Sequence, residues 1–160
     1  MAYRKKMWAK SVLLYTKLDG DNSSYLNKTP ETIVNWTYPT AFTSTQQAKD
    51  DWCVVQTKNE VGKQTGYFGY GVPTTSLIGT TVYVNGYPKE CYQYYSNGSV
   101  SNVNTDFVYY KASTQNGMSG GPVYNSNYTV WAIHSGGDSS VNLGPKINST
   151  IVSAITKYNT

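Results

Sequence analysis

The sequence is cut into short β-prone runs by residues that favour turns. Stretches rich in β-branched and aromatic residues occupy positions 9–15, 33–36, 52–56, 66–70, 80–85, 92–95, 107–110, 122–124 and 129–134. Asp19-Gly20, Asn85-Gly86, Asn97-Gly98, Asn125-Ser126-Asn127 and Gly136-Gly137 stand between or beside them as turn signals. Many short strands at close spacing predict an all-β sandwich or barrel. One segment breaks the pattern. Asn148-Ser149-Thr150 offers N-cap residues, and Ile151, Val152, Ile155 and Tyr158 follow at helical spacing with Lys157 in the last turn. This predicts a single terminal helix over 149–158, packed on a β-body.

Composition narrows the class further. A chain of 160 residues is the size of one domain, long enough to bury about two thirds of its unfolded surface. Charged residues are only 14 % and aromatic residues another 14 %, with 16 tyrosines and 14 glycines. Disordered chains are rich in charge and poor in aromatics, and helical bundles are rich in Ala, Glu, Lys and Leu, so both are excluded. No apolar run approaches the roughly 18 residues of a membrane helix.

The formal charge of +4 is unevenly placed. Arg4, Lys5, Lys6, Lys10 and Lys17 lie in an acid-free start interleaved with Tyr3 and Trp8, and the remainder carries 8 bases against 9 acids. This reads as a solvated end rather than a nucleic-acid or membrane surface. Lys10 and Lys17 interrupt the apolar core that a signal peptide needs, so no export signal is expected in this chain. The two cysteines, Cys53 and Cys91, are too few for a disulfide scaffold. With one histidine there is no plausible zinc set, and no metal or cofactor is expected. Cys53 lies in an apolar run and reads as a small core residue; a bridge to Cys91 is open in an oxidising compartment.

The sharpest chemical feature is Asn116-Gly117-Met118-Ser119-Gly120-Gly121-Pro122-Val123. A serine ringed by glycines holds an exposed, strained turn and leaves neighbouring N–H groups free to face a ligand. Gly-x-Ser-x-Gly also fits the nucleophile elbow of an α/β-hydrolase, but that elbow must open a helix and be followed by an acid and then a histidine. Gly-Gly-Pro is a poor helix start, and no acid lies between Ser119 and His134.

The longer string Gly-Met-Ser-Gly-Gly-Pro-Val resembles the nucleophile motif of chymotrypsin-like serine peptidases. Fifteen residues after the serine, Ala132-Ile133-His134-Ser135-Gly136-Gly137 resembles the substrate-binding strand and S1 wall of their V8-like glutamyl endopeptidase branch. Upstream, Asp51-Trp52-Cys53-Val54-Val55 is similar to the family's aspartate strand. Segments 66–70 and 86–88, and Asn142-Leu143-Gly144 before the helix, also have counterparts there. The resemblance implies a chymotrypsin-like double β-barrel. Residues 1–58 would form part of the N-terminal barrel, 59–148 the C-terminal barrel and 149–160 the helix.

The resemblance also implies roles. Ser119 would be the nucleophile, the N–H groups of Gly117 and Ser119 the oxyanion hole, and Asp51 the group orienting the general base. Asp50 would point to the other face of the strand. Ser135, Gly136 and Gly137 would pair with the substrate backbone, and His134 and Thr114 would donate hydrogen bonds to a P1 glutamate carboxylate. The expected partner is a polypeptide with an acidic P1 residue.

The sequence departs from the family in one respect that matters for chemistry. No histidine precedes Asp51, so nothing matches the segment that carries the base. The expectation is a partial form of a secreted endopeptidase, its histidine carried by a missing N-terminal segment. Two alternatives stand beside it. One is an inactive pseudopeptidase that binds extended peptides, and the other is an all-β carbohydrate-binding module using exposed Tyr and Trp.

Overall fold

The computed structural model describes residues 11–16, 29–73, 76–88 and 92–159. The basic residues Arg4, Lys5, Lys6, Lys10 and Lys17, and Cys91 with any bridge it makes, lie outside the described residues. Within them, strands dominate: β1 Ile33–Thr37, β2 Val54–Thr57, β3 Gly69–Tyr70, β4 Thr81–Gly86, β5 Tyr94–Val103, β6 Phe107–Ala112, β7 Pro122–Tyr124, β8 Thr129–Ile133, β9 Gly136–Gly137 and β10 Asn142–Pro145. Two short helices, α1 Thr40–Thr45 and α2 Gly62–Thr65, sit in the first half, and α3 Ser149–Thr156 closes the chain.

The strands form two sheets. β1 and β2 make an antiparallel pair, and the other eight follow the order β3-β8-β7-β4-β5-β6-β10-β9. Every pairing in the large sheet is antiparallel except β3 on β8. The sheet curls until the end of β10 returns to β8. An antiparallel bridge joins Ala132 to Lys146, and the Ile147 N–H donates to the Trp131 carbonyl at 2.8 Å. A closed barrel of β8, β7, β4, β5, β6 and β10 results, and closure removes the strand edges that would otherwise invite pairing with other chains.

The barrel interior follows directly from strand alternation. Val82 and Val84 on β4, and Val108 and Tyr110 on β6, point inward and are fully buried. Val100, Val123, Ala112, Ala132, Leu77 and Met118 complete the cluster. The terminal helix is seated by Ile151, which is buried, and begins where the Asn148 side chain accepts a hydrogen bond from the Ile151 N–H at 3.0 Å. It ends at Thr156, two residues short of the expected end. Tyr158 leaves the helix to reach the small sheet: its hydroxyl donates to the Trp36 carbonyl at 3.1 Å, and its carbonyl accepts from Gln56 Nε2 at 2.8 Å.

Several sequence expectations are corrected. Asn97-Gly98 is not a turn but the middle of β5, where Gly98 faces Ala112. A Cβ at Gly98 would collide with the Lys111 backbone, so the glycine serves close strand approach. The β5–β6 turn lies instead at Asn104, whose side-chain oxygen accepts from the N–H groups of Asp106 and Phe107 at 2.9 and 2.7 Å. The 66–70 run reduces to the two residues of β3, because helix α2 occupies the preceding turn. Asp50 and Asp51 are not in a strand: Ala48–Asp50 form a 3-10 turn and Asp51 ends it. Cys53 is exposed rather than a core residue, at the position just before β2.

Burial this uneven yields a stability prediction. Val108→Ala, at a fully buried site, should lower the unfolding free energy by about 2 kcal/mol through lost burial and an unfilled cavity. Val34→Ala, on the open small sheet, should change it by less than about 0.5 kcal/mol. Urea denaturation of both variants checks the contrast.

Candidate active site

The loop between β6 and β7 is built to thrust one hydroxyl outward. Met118 is its anchor, 2 % exposed and part of the barrel core. Gly117 and Gly120 flank the next turn with φ of +99° and +87°, left-handed conformations that favour glycine. The Gly121 N–H closes on the Met118 carbonyl at 3.0 Å. Ser119 is left exposed at the apex. Among the described residues, neither its N–H nor that of Gly117 donates to any acceptor.

Two backbone hydrogen bonds then fasten this loop to the strand beside it. The Gly120 N–H donates to the His134 carbonyl at 2.7 Å, and the His134 N–H donates to the Gly121 carbonyl at 2.8 Å. Residue 135 is thereby fixed next to the serine. The Ser119 hydroxyl donates to the Ser135 carbonyl at 3.1 Å, and the Ser135 hydroxyl reaches the Asp51 carboxylate at a long 3.5 Å. Ser119, Ser135, His134 and Asp51 all line one cleft of about 780 Å³, together with Trp36, Phe42 and Cys53. Asp50 is not among its lining residues.

Beyond residue 135 the chain enters β9, the outermost strand of the large sheet. One side of β9 pairs with β10, through Gly136↔Leu143 and Gly137↔Asn142, and the other side carries no strand among the described residues. An extended peptide added there would find unpaired backbone groups.

The imidazole of His134 is buried, 3 % exposed, with Nδ1 at 2.5 Å from the Tyr110 hydroxyl. Burial pushes the ring's pKa down and that of the Tyr110 phenol up. Thr114 takes another course. Its hydroxyl donates to Asn142 Oδ1 at 2.7 Å, Asn142 Nδ2 donates to the Ala112 carbonyl at 2.7 Å, and Thr114 does not line the cleft. No local sequence signal marks Tyr110, Trp36 or Phe42 as site residues, and Cys53, read as a core residue, lines the cleft. Among the described residues no imidazole stands between Ser119 and Asp51, because the one histidine is held by Tyr110.

The sequence profile of the trypsin-like peptidase domain matches residues 20–133. The chain belongs to the trypsin-like peptidase domain family. A glutamyl endopeptidase of Bacillus licheniformis is 30 % identical over 122 residues, which cover 68 % of this chain and 39 % of that protein. The chain therefore spans well under half of that relative's length. Among solved structures, a Glu endopeptidase in complex with MPD superposes with a TM-score of 0.76 at 26 % identity, covering 88 % of this chain and 70 % of that one. An inactivated protease paralogue of the scabies mite shares the fold, with a TM-score of 0.62 at 13 % identity over 78 % of this chain and 66 % of its own. The trypsin-like domain here has the all-β, chymotrypsin-like architecture expected from sequence, with its C-terminal helix. Among the described residues no helix is long and apolar enough to cross a membrane, and no group of three His, Cys, Asp or Glu side chains is placed to hold a metal ion.

The desolvated imidazole has a pH signature. Its pKa is lower folded than unfolded, so the unfolded chain binds more protons and stability rises with pH across that window. The ring's contribution is complete above about pH 6.5 and is lost as pH falls through that value toward the folded pKa. The stability difference between wild type and His134→Gln should therefore shrink on acidification from about pH 7.5 to about pH 5.5. Denaturant titrations at each pH measure it, and a pH-independent difference would contradict a neutral buried ring.

Proposed function

We propose that this trypsin-like domain carries the acyl-forming half of a serine endopeptidase that cleaves polypeptides after acidic residues, without metal or cofactor. One observation carries the reading. The Ser119 hydroxyl is exposed in the cleft that Asp51 and His134 also line, beside two N–H groups with no acceptor among the described residues. In this reading the Ser119 oxygen attacks the scissile carbonyl and its proton passes to a general base. The N–H groups of Gly117 and Ser119 receive the oxyanion, the amine leaves with the proton, and water then releases the acyl group. The free side of Ser135–Gly137 binds the substrate backbone as an added strand. His134 meets the P1 side chain. Thr114 supports that pocket through Asn142 rather than touching substrate itself, since its hydroxyl is already committed.

The base in this reading is an imidazole from a segment outside these 160 residues, seated against the open β1–β2 sheet beside Asp51. Exposed Val34, Trp36 and Val55 supply the apolar surface for it to cover. His134 is unsuited to the task because its ring is buried and bonded to Tyr110. The acidic P1 preference draws on the glutamyl endopeptidase relative and on the single ring donor at the cleft wall. An exported, extracellular enzyme fits the same relationship. The missing imidazole favours a second reading, a peptide-binding pseudopeptidase that uses the same strand.

A chemical complementation assay separates the two. A serine peptidase stripped of one triad member keeps only the part of its rate that binding and the oxyanion hole provide, about 10³–10⁴ over water. The chain alone should cleave a Glu-containing peptide at that residual level. Free imidazole should raise the rate, and Ser119→Ala should remove the increase. No turnover at any imidazole concentration, with peptide binding unchanged by Ser119→Ala, would replace the peptidase by the pseudopeptidase.

A further inference from the structure

Three Asn-Gly pairs occur in the chain: Asn85-Gly86, Asn97-Gly98 and Asn116-Gly117. Each holds the parts of a spontaneous reaction. Asparagine is chemically labile, because the backbone nitrogen that follows it can close a five-membered ring on its side-chain carbonyl. A glycine at the following position has no Cβ to obstruct that closure. The fold treats the three pairs differently.

Two of them are held shut. Gly98 lies within β5, paired with Val82 on one side and Ala112 on the other. A peptide held in two ladders cannot turn its nitrogen toward a side chain without breaking them. Asn85 and Gly86 end β4 opposite Tyr95 and Tyr94, and Asn85 Oδ1 accepts a hydrogen bond from the Tyr124 hydroxyl at 2.9 Å. Gly86 packs so closely on the serine loop that a Cβ there would lie 2.7 Å from Met118 Cα.

The third pair is open. Asn116 and Gly117 are exposed, at the centre of the turn that the Met118 N–H closes on the Gln115 carbonyl at 3.2 Å. Among the described residues, the peptide joining them is bonded at neither its C=O nor its N–H, and the Asn116 side chain has no partner. No hydrogen bond has to break for the Gly117 nitrogen to swing against Asn116 Cγ. The same N–H is one of the two that would receive an oxyanion. A donor left free for a transient charge is also left free to react.

We propose that Asn116 is a site of spontaneous deamidation that retires the oxyanion hole, so that the loop which presents Ser119 also limits its working life. The Gly117 nitrogen gives its proton to hydroxide and attacks Asn116 Cγ. The bond from Cγ to the side-chain nitrogen breaks, ammonia leaves, and a succinimide remains. In that ring the Gly117 nitrogen carries no hydrogen, so the donor is gone. Water then opens the ring at Cγ to give aspartate, or at the backbone carbonyl to give isoaspartate. Isoaspartate restores the N–H but places an extra methylene in the main chain ahead of it. The modification stands on the loop geometry alone, and its catalytic consequence rests on the peptidase reading.

The test is to age the folded 160-residue protein in mildly alkaline and mildly acidic buffer and map its peptides for amide-to-acid conversion and isoaspartate. Asn116 should convert, faster in the alkaline buffer, while Asn85 and Asn97 keep their amides. All three should convert at similar rates once the chain is unfolded in urea. An Asn116 that converts no faster than Asn85 and Asn97 in the folded protein overturns the proposal. The imidazole-stimulated cleavage rate is followed on the same samples. It should fall in step with the succinimide and isoaspartate fraction, by about 10²-fold in fully converted protein, as for loss of one oxyanion donor. Asn116→Gln, whose longer side chain closes a ring far more slowly, should keep its rate through the same ageing. Converted protein that cleaves at the original rate overturns the catalytic half. Absence of imidazole-stimulated cleavage in fresh protein removes that half together with the peptidase reading, and the peptide map still decides the modification.

Discussion

The exchange of hydrogen bonds between residues 120–121 and His134 holds the site together. One donor and one acceptor on each side tie the serine loop to the end of β8. The loop alone is glycine-rich and conformationally free, and three of its four central residues gain little from packing. Met118 fixes its base in the barrel core and the paired backbone bonds fix its apex. Because β8 is one wall of the closed barrel, barrel closure sets the serine's position. The same tie aligns His134 inward toward Tyr110 and Ser135 outward toward Asp51. The placement of Ser119, His134 and Ser135 thus depends on one rigid element.

The two sheets differ in a way that bears on function. The large sheet is closed, buried and self-sufficient. The small sheet rests on it through the terminal Tyr158 and leaves Trp36 63 % exposed. This apolar exposure adjoins the cleft that Ser119, Asp51 and His134 line.

Much of this was legible in the sequence because the responsible signals are local. Alternation of valines identifies β4 and β6, Asn148 identifies the start of α3, and the glycines around Ser119 identify an exposed turn. What escaped reading depends on long-range contact. Asn97-Gly98 carries a hairpin signal, yet the glycine answers the backbone of Lys111 across the sheet. Cys53 has apolar neighbours in sequence, yet it is exposed at the position just before β2. Asp50 and Asp51 look like strand residues because Trp52-Cys53-Val54 follows, although the strand begins only at Val54. Tyr110 is one of 16 tyrosines; periodicity marks it as inward, and nothing local pairs its hydroxyl with a ring 24 positions away.

The central claim is that Ser119 is the reactive atom of the cleft and lacks only a base. The most direct measurement is the intact mass of the protein, with peptide mapping, after exposure to a fluorophosphonate with and without added imidazole. A single adduct on Ser119, formed faster with imidazole, is the predicted result. An adduct on any other residue, or none on Ser119 at any imidazole concentration, would contradict the account.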